Sequence, residues 1–369
     1  MKKLRIIIAA GGTGGHVFPA LALGEEIREQ FPDADILFIG TNRGLEDRVI
    51  PQAGFQLKTV VMSGLARSFA PMDVLRNLWM PFKLFFGMIQ SWMILRRFKP
   101  DVAIGCGGYV TGPVIWLAAK LKILTLIQEQ NSRPGRTTLF LSKYVDCVHL
   151  TYEDAKRFFK DQNKLLVSGN PLRKGLQKID RQEASRFFGL HTNNKTLLVV
   201  GGSLGAHAVN MALLEIVDEL VGLGDINVLW QTGKNDHEGV AAKVKHEQVK
   251  IHKFIDNMSA AYSCADLVLC RAGAMTLSEI TMLGLPAVLV PYPYAADNHQ
   301  EFNANSLTER NAAVMIKNSD LGKELKPVLF DLMKNPDKLK KMRQNSFALR
   351  QPDAAKKIVD NMKVLLNLK

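Results

Sequence analysis

Short apolar runs alternate with longer amphipathic stretches along the whole chain. In the first half the runs are Leu4–Ala10, Ile36–Gly40, Phe55–Val61, Val102–Gly105, Ile123–Gln128, Cys147–Leu150 and Leu165–Ser168; in the second they are Leu197–Val200, Asn227–Gln231, Val249–Phe254, Leu267–Cys270, Ala287–Val290 and Ala313–Ile316. Most lack the apolar-polar alternation of a half-exposed strand, which is the pattern of parallel strands covered on both faces. The stretches between them have the length and periodicity of crossover helices, so each half is expected to be an α/β doubly wound, Rossmann-like sheet. Beyond Asn335 the pattern is helical to the last residue, with Ile358, Met362 and Leu365 at helical spacing.

Turn chemistry divides the halves. Ser168-Gly169-Asn170-Pro171-Leu172-Arg173 ends a strand in a turn, which sets an expected first domain at 1–168 and a second at 169–345. Residues 346–369 are expected to form a helix that packs back on the first domain.

The 369 residues are 47% hydrophobic, enough to fill two cores, and the formal charge of +13 draws the protein to something anionic: phosphates, nucleic acid or an acidic lipid surface. Cys106, Cys147, Cys264 and Cys270 form no C-x-x-C pair and have no His cluster beside them, so they read as buried thiols and no metal site is expected. Met1-Lys2-Lys3 followed by Leu4–Ala10 has the look of a signal peptide, but Gly11–Gly15 cuts the run short and it reads as a first strand. No uncharged apolar stretch reaches the roughly 18 to 20 residues of a membrane-spanning helix.

A strand ending in a glycine cluster occurs at Gly11-Gly12-Thr13-Gly14-Gly15 and again at Gly201-Gly202-Ser203-Leu204-Gly205. Such a turn between strand and helix brings backbone N–H groups close to an anion or a ring, with the helix start adding positive potential. Neither loop has the Lys-Ser/Thr ending of a P-loop, and the strand at Ile36–Gly40 lacks the acid that would hold a dinucleotide ribose. An NTPase and a dehydrogenase are both disfavoured. His16 follows the first loop, where the helix start favours a neutral imidazole able to act as a base; capping or packing is the alternative role.

In the second half, Cys270-Arg271-Ala272-Gly273-Ala274-Met275-Thr276-Leu277-Ser278-Glu279 ends a strand and begins a helix, which makes another anion cradle. Glu279 can accept two ribose hydroxyls or simply compensate the helix dipole, and Arg271 can serve a phosphate or a structural pair. Asp297-Asn298-His299-Gln300 lies after a strand, where open sheets bind ligands, and is a candidate for sugar hydroxyls. Asp33-Ala34-Asp35 spells a D-x-D, but it sits at the N-terminal edge of the sheet and reads as a solvated turn.

Leu78, Trp79, Phe82, Phe85 and Phe86, with Ile89 and Trp92 beyond, lie on an expected helix that ends in Arg96, Arg97 and Lys99. Aromatic residues beside cations suit a patch that dips into acidic headgroups; a packed crossover helix with a basic end is the alternative.

GGTGGHVFPA at Gly11–Ala20, GCGGYVTGP at Gly105–Pro113, EQN at Glu129–Asn131, GNPLR at Gly169–Arg173, GGSLGA at Gly201–Ala206, CRAGAMTLSE at Cys270–Glu279 and DNHQEFNA at Asp297–Ala304 together resemble the bacterial MurG family. The resemblance spans the chain. It implies a GT-B glycosyltransferase fold, two Rossmann-like domains facing a cleft. The implied reaction moves N-acetylglucosamine from UDP-N-acetylglucosamine to the 4-hydroxyl of undecaprenyl-pyrophosphoryl-N-acetylmuramoyl-pentapeptide, with inversion and without a metal cofactor. Implied donor-binding residues are Thr13, Gly14, Gly15, Asn131, Arg173, Ser203, Ile255, Ala274, Met275, Thr276, Leu277, Ser278, Glu279 and Gln300. Within these, Glu279 is expected on the ribose, the Ile255 backbone beside the uracil and Gln300 on the sugar hydroxyls. His299 stands where some members carry Gln. His16, Gly107, Gly108 and Tyr109 are implied for the acceptor, with His16 as base and Glu129 as the lesser candidate. A peripheral position on the cytoplasmic face of the membrane, an anionic lipid surface and other cell-wall proteins follow as expected partners, with no nucleic acid.

Two rivals fit parts of the pattern. A UDP-N-acetylglucosamine 2-epimerase shares the two-domain form and the donor but needs no aromatic-basic surface. A non-catalytic nucleotide-sugar or polyanion binder would account for the charge and release no UDP.

Overall fold

A computed structural model describes residues 3–42, 44–62, 64, 78–202 and 204–368. The chain divides into two compact units, one made of 1–174 with 353–369 and the other of 175–352.

The first unit is built on a seven-stranded sheet: β1 (Arg5–Ala9), β2 (Asp35–Gly40), β3 (Gln56–Thr59), β4 (Val102–Gly105), β5 (Leu124–Glu129), β6 (Cys147–Leu150) and β7 (Leu165–Val167). Their order is β3-β2-β1-β4-β5-β6-β7, and every pair is parallel. Successive residues of β1 point to opposite faces. Ile6 and Ile8 enter one apolar cluster and Ile7 and Ala9 another, so both faces are covered, as an all-parallel sheet requires.

The second unit has six strands: β8 (Lys195–Val200), β9 (Ile226–Gln231), β10 (Val249–His252), β11 (Leu267–Cys270), β12 (Ala287–Leu289) and β13 (Ala313–Met315), in the order β10-β9-β8-β11-β12-β13 and parallel throughout. All thirteen strands overlap the apolar runs read from the sequence. In each sheet the order reverses beside the first strand, between β1 and β4 and between β8 and β11. Loops leaving neighbouring strands part there and open a crevice, so the ligand groups belong at the ends of those four strands.

The unit limits differ from the turn-based division. Gly169 stays with the first unit because its N–H bonds to Leu150 O at 3.1 Å, and Arg173 stays because its guanidinium lies 3.4 Å over the Phe18 ring. The return to the first unit comes at Asp353, not at 346. Helix Pro336–Ala348 buries Leu339 and Met342 in the core of the second unit, and the chain breaks around Pro352 with Asp353 left-handed (φ 58°). The expected single terminal helix is therefore two. Helix Ala354–Leu365 places Ile358, Val359 and Met362 in the cluster of Ile6, Ile8, Val17 and Leu23. Each contributes about 1.5–3 kcal/mol by burial.

Candidate functional site

In the first unit, the glycine turn after β1 leads into helix Gly14–Gln30, capped by Thr13 in extended backbone. A residue that sequence reading passed over fills its inner side. Glu46, fully buried at the start of helix Glu46–Gln52, accepts from Gly12 N (3.2 and 3.3 Å), Thr41 N (3.2 Å) and Thr41 Oγ1 (2.6 Å). A Cβ on Gly11 or Gly44 would press on that carboxylate and one on Gly40 on the Glu46 Cγ, which accounts for the glycines around it. The Gly12 N–H is spent inward on a carboxylate. The first turn is thus a shaped scaffold more than an anion cradle, because a diphosphate brought against it meets a buried negative charge.

His16 sits in the first turn of the helix, its Nδ1 2.9 Å from Gln130 Oε1. The loop after β4 lies directly against it. Gly107 (φ 96°) and Gly108 (φ 85°) are left-handed; a Cβ on Gly107 would strike the His16 ring and one on Gly108 would strike Gly11 O. Thr111 Oγ1 ties this loop down by reaching Gly107 O (2.7 Å) and Ala9 O (3.0 Å). Tyr109 is exposed beyond it. The structure therefore brings His16, Gly107 and Gly108 together at the crevice between β1 and β4.

Glu129, at the end of β5, is almost fully buried. Oε1 accepts from Asn131 N (3.0 Å) and Nδ2 (3.2 Å), and Oε2 from Gly135 N (3.1 Å) and Thr138 Oγ1 (2.6 Å). Both oxygens are committed to shaping the loop that carries Asn131, so the geometry favours an anchoring role over that of a base. Burial also pushes the Cys106 thiol, under the same crevice, far above its ordinary range.

In the second unit, Gly202 (φ 84°) and Gly205 (φ 83°) shape the turn after β8, and a Cβ on Gly205 would strike the backbone of Thr232 and Gly233. Ser203 lies outside the described residues. Gln231, at the end of β9, links two loops: its Nε2 donates to Gly202 O (3.0 Å) and its Oε1 accepts from Ile255 N (2.8 Å). The Ile255 side chain is buried and its N–H engaged, which leaves its carbonyl as the backbone group to consider for a base.

Helix Ala274–Leu283 starts at Gly273, after β11, and its first-turn N–H groups at Ala274, Met275 and Thr276 point along the axis toward the crevice. Leu277 does not share this role: its side chain is wholly buried and its N–H bonds to Gly273 O (3.0 Å). Ser278 Oγ donates back to Ala274 O (2.8 Å). Glu279 Oε2 accepts from the buried Tyr262 hydroxyl at 2.8 Å. Burial, then the Glu279 charge, holds the Tyr262 phenol well above its ordinary pKa, so it remains a donor. Arg271 resolves to the structural alternative: Nη1 donates to Val290 O, Pro291 O and Asn318 Oδ1 (2.8 Å).

After β12, Asp297 (φ 49°) and Asn298 (φ 58°) are consecutive left-handed residues before helix His299–Thr308, a strained entry of the kind held at ligand sites. Gln300 Oε1 accepts from Tyr292 N (2.9 Å), which turns its amide N–H groups away as donors. His299 Nδ1 bonds to Ala296 O (2.7 Å), so this nitrogen carries the hydrogen.

Helix Met80–Phe98 buries only the narrow stripe Gly87, Ser91 and Leu95. Leu78, Trp79, Phe82, Phe85 and Phe86 are each more than half exposed, with Arg96 and Arg97 in the last turn. Among the described residues no helix is long and apolar enough to cross a membrane, and no three His, Cys, Asp or Glu are grouped to hold a metal ion. Asp35 of the D-x-D pairs instead with Lys3 at 2.7 Å.

Comparison with known proteins agrees across both units. Residues 6–150 match the glycosyltransferase family 28 N-terminal domain and residues 196–358 its C-terminal domain. The chain is 40% identical over 372 aligned positions to a UDP-N-acetylglucosamine–N-acetylmuramyl-(pentapeptide) pyrophosphoryl-undecaprenol N-acetylglucosamine transferase of Desulforamulus reducens, covering 98% of this chain and 99% of that protein. It is 41% identical to the protein of the same name from Halalkalibacterium halodurans, over 96% and 98% of the two chains. The crystal structure of Acinetobacter baumannii MurG superposes with a TM-score of 0.78 at 30% identity, over 98% of this chain and 99% of that one. A UDP-N-acetylglucosamine 2-epimerase structure superposes with a TM-score of 0.66 at 16% identity, covering 99% and 97%, and so shares the fold alone. The chain belongs to glycosyltransferase family 28 and, within it, to the MurG family.

Proposed function

We propose that this protein transfers N-acetylglucosamine from UDP-N-acetylglucosamine to the 4-hydroxyl of undecaprenyl-pyrophosphoryl-N-acetylmuramoyl-pentapeptide, with inversion. The observation that carries the reading is that identity near 40% to transferases of that name runs through both units, over 98% of the chain.

In this reading His16 Nε2 takes the proton of the acceptor hydroxyl as that oxygen bonds to the sugar C1 from the face opposite UDP. The C1–O bond breaks and its electron pair leaves on the diphosphate. Thr13, Gly14, Gly15 and Asn131 approach the donor sugar, Gly107, Gly108 and Tyr109 the acceptor, and Glu129 holds Asn131. The first-turn N–H groups of Ala274–Thr276, the Gly201–Gly205 turn with Ser203, and Arg173 offset the charge growing on the leaving diphosphate. Glu279 and Ser278 hold the ribose end, the Ile255 carbonyl the uracil, and Gln300 donates to the sugar. The placement of Glu46 supports this division of labour, since its charge disfavours a diphosphate at the first turn. This charge neutralisation by protein groups leaves no step that calls for a metal cofactor.

The exposed aromatic helix, with its basic end, suits a peripheral seat on the anionic cytoplasmic face of the membrane, where the lipid-linked acceptor is presented.

A transfer assay tests the whole reading. A short-chain analogue of the lipid-linked muramoyl-pentapeptide and several UDP-sugars are supplied, and UDP release is expected only when that acceptor and the N-acetylglucosamine donor are both present. Epimerised sugar from donor alone would instead select the isomerase, and no UDP release with both substrates would select a binder.

A further inference from the structure

We propose that Gln130 is a positioning residue that fixes the tautomer of His16, so that the imidazole meets the acceptor with Nε2 unprotonated. The inference rests on the reading of His16 as general base. Gln130 is buried just beyond β5. Its Nε2 lies 2.8 Å from Cys106 O and 3.1 Å from Gln128 O, with Gln128 Oε1 also beside it. The first two are backbone carbonyls, which can only accept. Turning the amide round would set its oxygen against both of them, so Nε2 must face the carbonyls and Oε1 must face His16.

That assignment propagates to the imidazole. An amide oxygen only accepts, so the 2.9 Å contact requires a hydrogen on His16 Nδ1. In the neutral ring the lone pair then belongs to Nε2. The backbone at Gly107 closes the other side: a Cβ there would collide with Nδ1 and Cε1. Gly107, in the loop after β4, limits the ring plane, and Gln130, just beyond β5, sets the tautomer through a side chain that itself need not touch substrate.

The choice of an amide has its own consequence. A carboxylate in this place would also orient the ring but would favour the imidazolium and raise the pKa of the base. Gln130 orients without that charge, which keeps the base neutral at a lower pH.

Two measurements test the proposal. In protein labelled with 15N-histidine, the His16 resonances, identified by their loss in His16→Ala, should report the Nδ1–H tautomer in the wild type. Gln130→Met should give a mixture of tautomers. A wild-type ring protonated on Nε2 instead overturns the proposal whether or not any variant folds. In the transfer assay, Gln130→Met should lower kcat by roughly 10- to 100-fold with UDP affinity unchanged, and should add no further loss in a His16→Ala background. Gln130→Glu should recover part of that activity and move the acid limb of the kcat profile up by about 1 pH unit. An equal loss from Gln130→Met in both backgrounds, or wild-type kcat in Gln130→Met beside an inactive His16→Ala, defeats the tautomer role alone. Full turnover by His16→Ala removes the underlying base assignment instead.

Discussion

The Tyr262 hydroxyl donates a 2.8 Å hydrogen bond to Glu279 Oε2, so a buried phenol aims the carboxylate proposed for the ribose. A hydrogen bond to a charged group contributes about 1.5–3 kcal/mol. Tyr262→Phe keeps the ring and deletes that bond, and is expected to raise the UDP dissociation constant several-fold in calorimetric titration. Glu279→Ala should raise it further. Unchanged affinity in Glu279→Ala would take this carboxylate off the nucleotide.

His16→Ala is expected to cut kcat by roughly 100- to 10,000-fold, the range of a positioned general base. Its UDP affinity should match the wild type, because His16 is not among the proposed nucleotide contacts. Turnover at the wild-type rate would end the assignment of the base.

Glu46 offers the clearest stability test. Glu46→Ala strips the acceptor from Gly12 N and Thr41 N, both only partly shielded from water, and each lost bond to the carboxylate costs about 1–2 kcal/mol. A melting temperature lower by roughly 5–10 °C is expected by circular dichroism. Glu46→Gln retains one acceptor oxygen and should fall between. A melt unmoved in both variants would mean that the carboxylate does not brace the turn.

His149 makes stability depend on acid. Burial lowers its pKa from 6.5 to about 4, partly opposed by its hydrogen bond to Asn361. Below pH 6.5 the unfolded chain takes up a proton that the folded chain refuses, so stability falls from there toward pH 4 and levels off beneath it. The loss amounts to about 3 kcal/mol at most. Denaturation midpoints measured across that window should be steeper in the wild type than in His149→Gln, and parallel curves would count against it.

Phe82→Ser combined with Phe86→Ser should reduce sedimentation with anionic liposomes while transfer to a soluble acceptor analogue stays near normal. Both rings are more than half exposed, so their removal opens no cavity in the core. Equal sedimentation of variant and wild type would dismiss the patch.

The strands were legible because a buried parallel strand must be apolar along its length; Cys147–Leu150 and Leu267–Cys270 were read to the residue. The glycine turns were legible for the same kind of reason, since only glycine fits where Gly108 meets Gly11. What stayed hidden depends on contacts distant in sequence. Glu46 lies 34 residues from the Gly12 N–H it holds, and looks like any first-turn acid. Gln130 lies inside the EQN motif, yet its value comes from a partner 114 residues away. A linear pattern cannot show that four donors already surround the Glu129 carboxylate. The return at Asp353 was misplaced since helical spacing alone does not reveal which core a helix joins.

The first unit borrows Ile358, Val359 and Met362 from the far end of the numbering to finish its core. During synthesis on the ribosome, therefore, the second unit has every residue it needs before the first does. The first must wait, with Ile6, Ile8 and Leu23 incompletely covered, until position 362 emerges. Of the two, the half that is translated first is the one completed last.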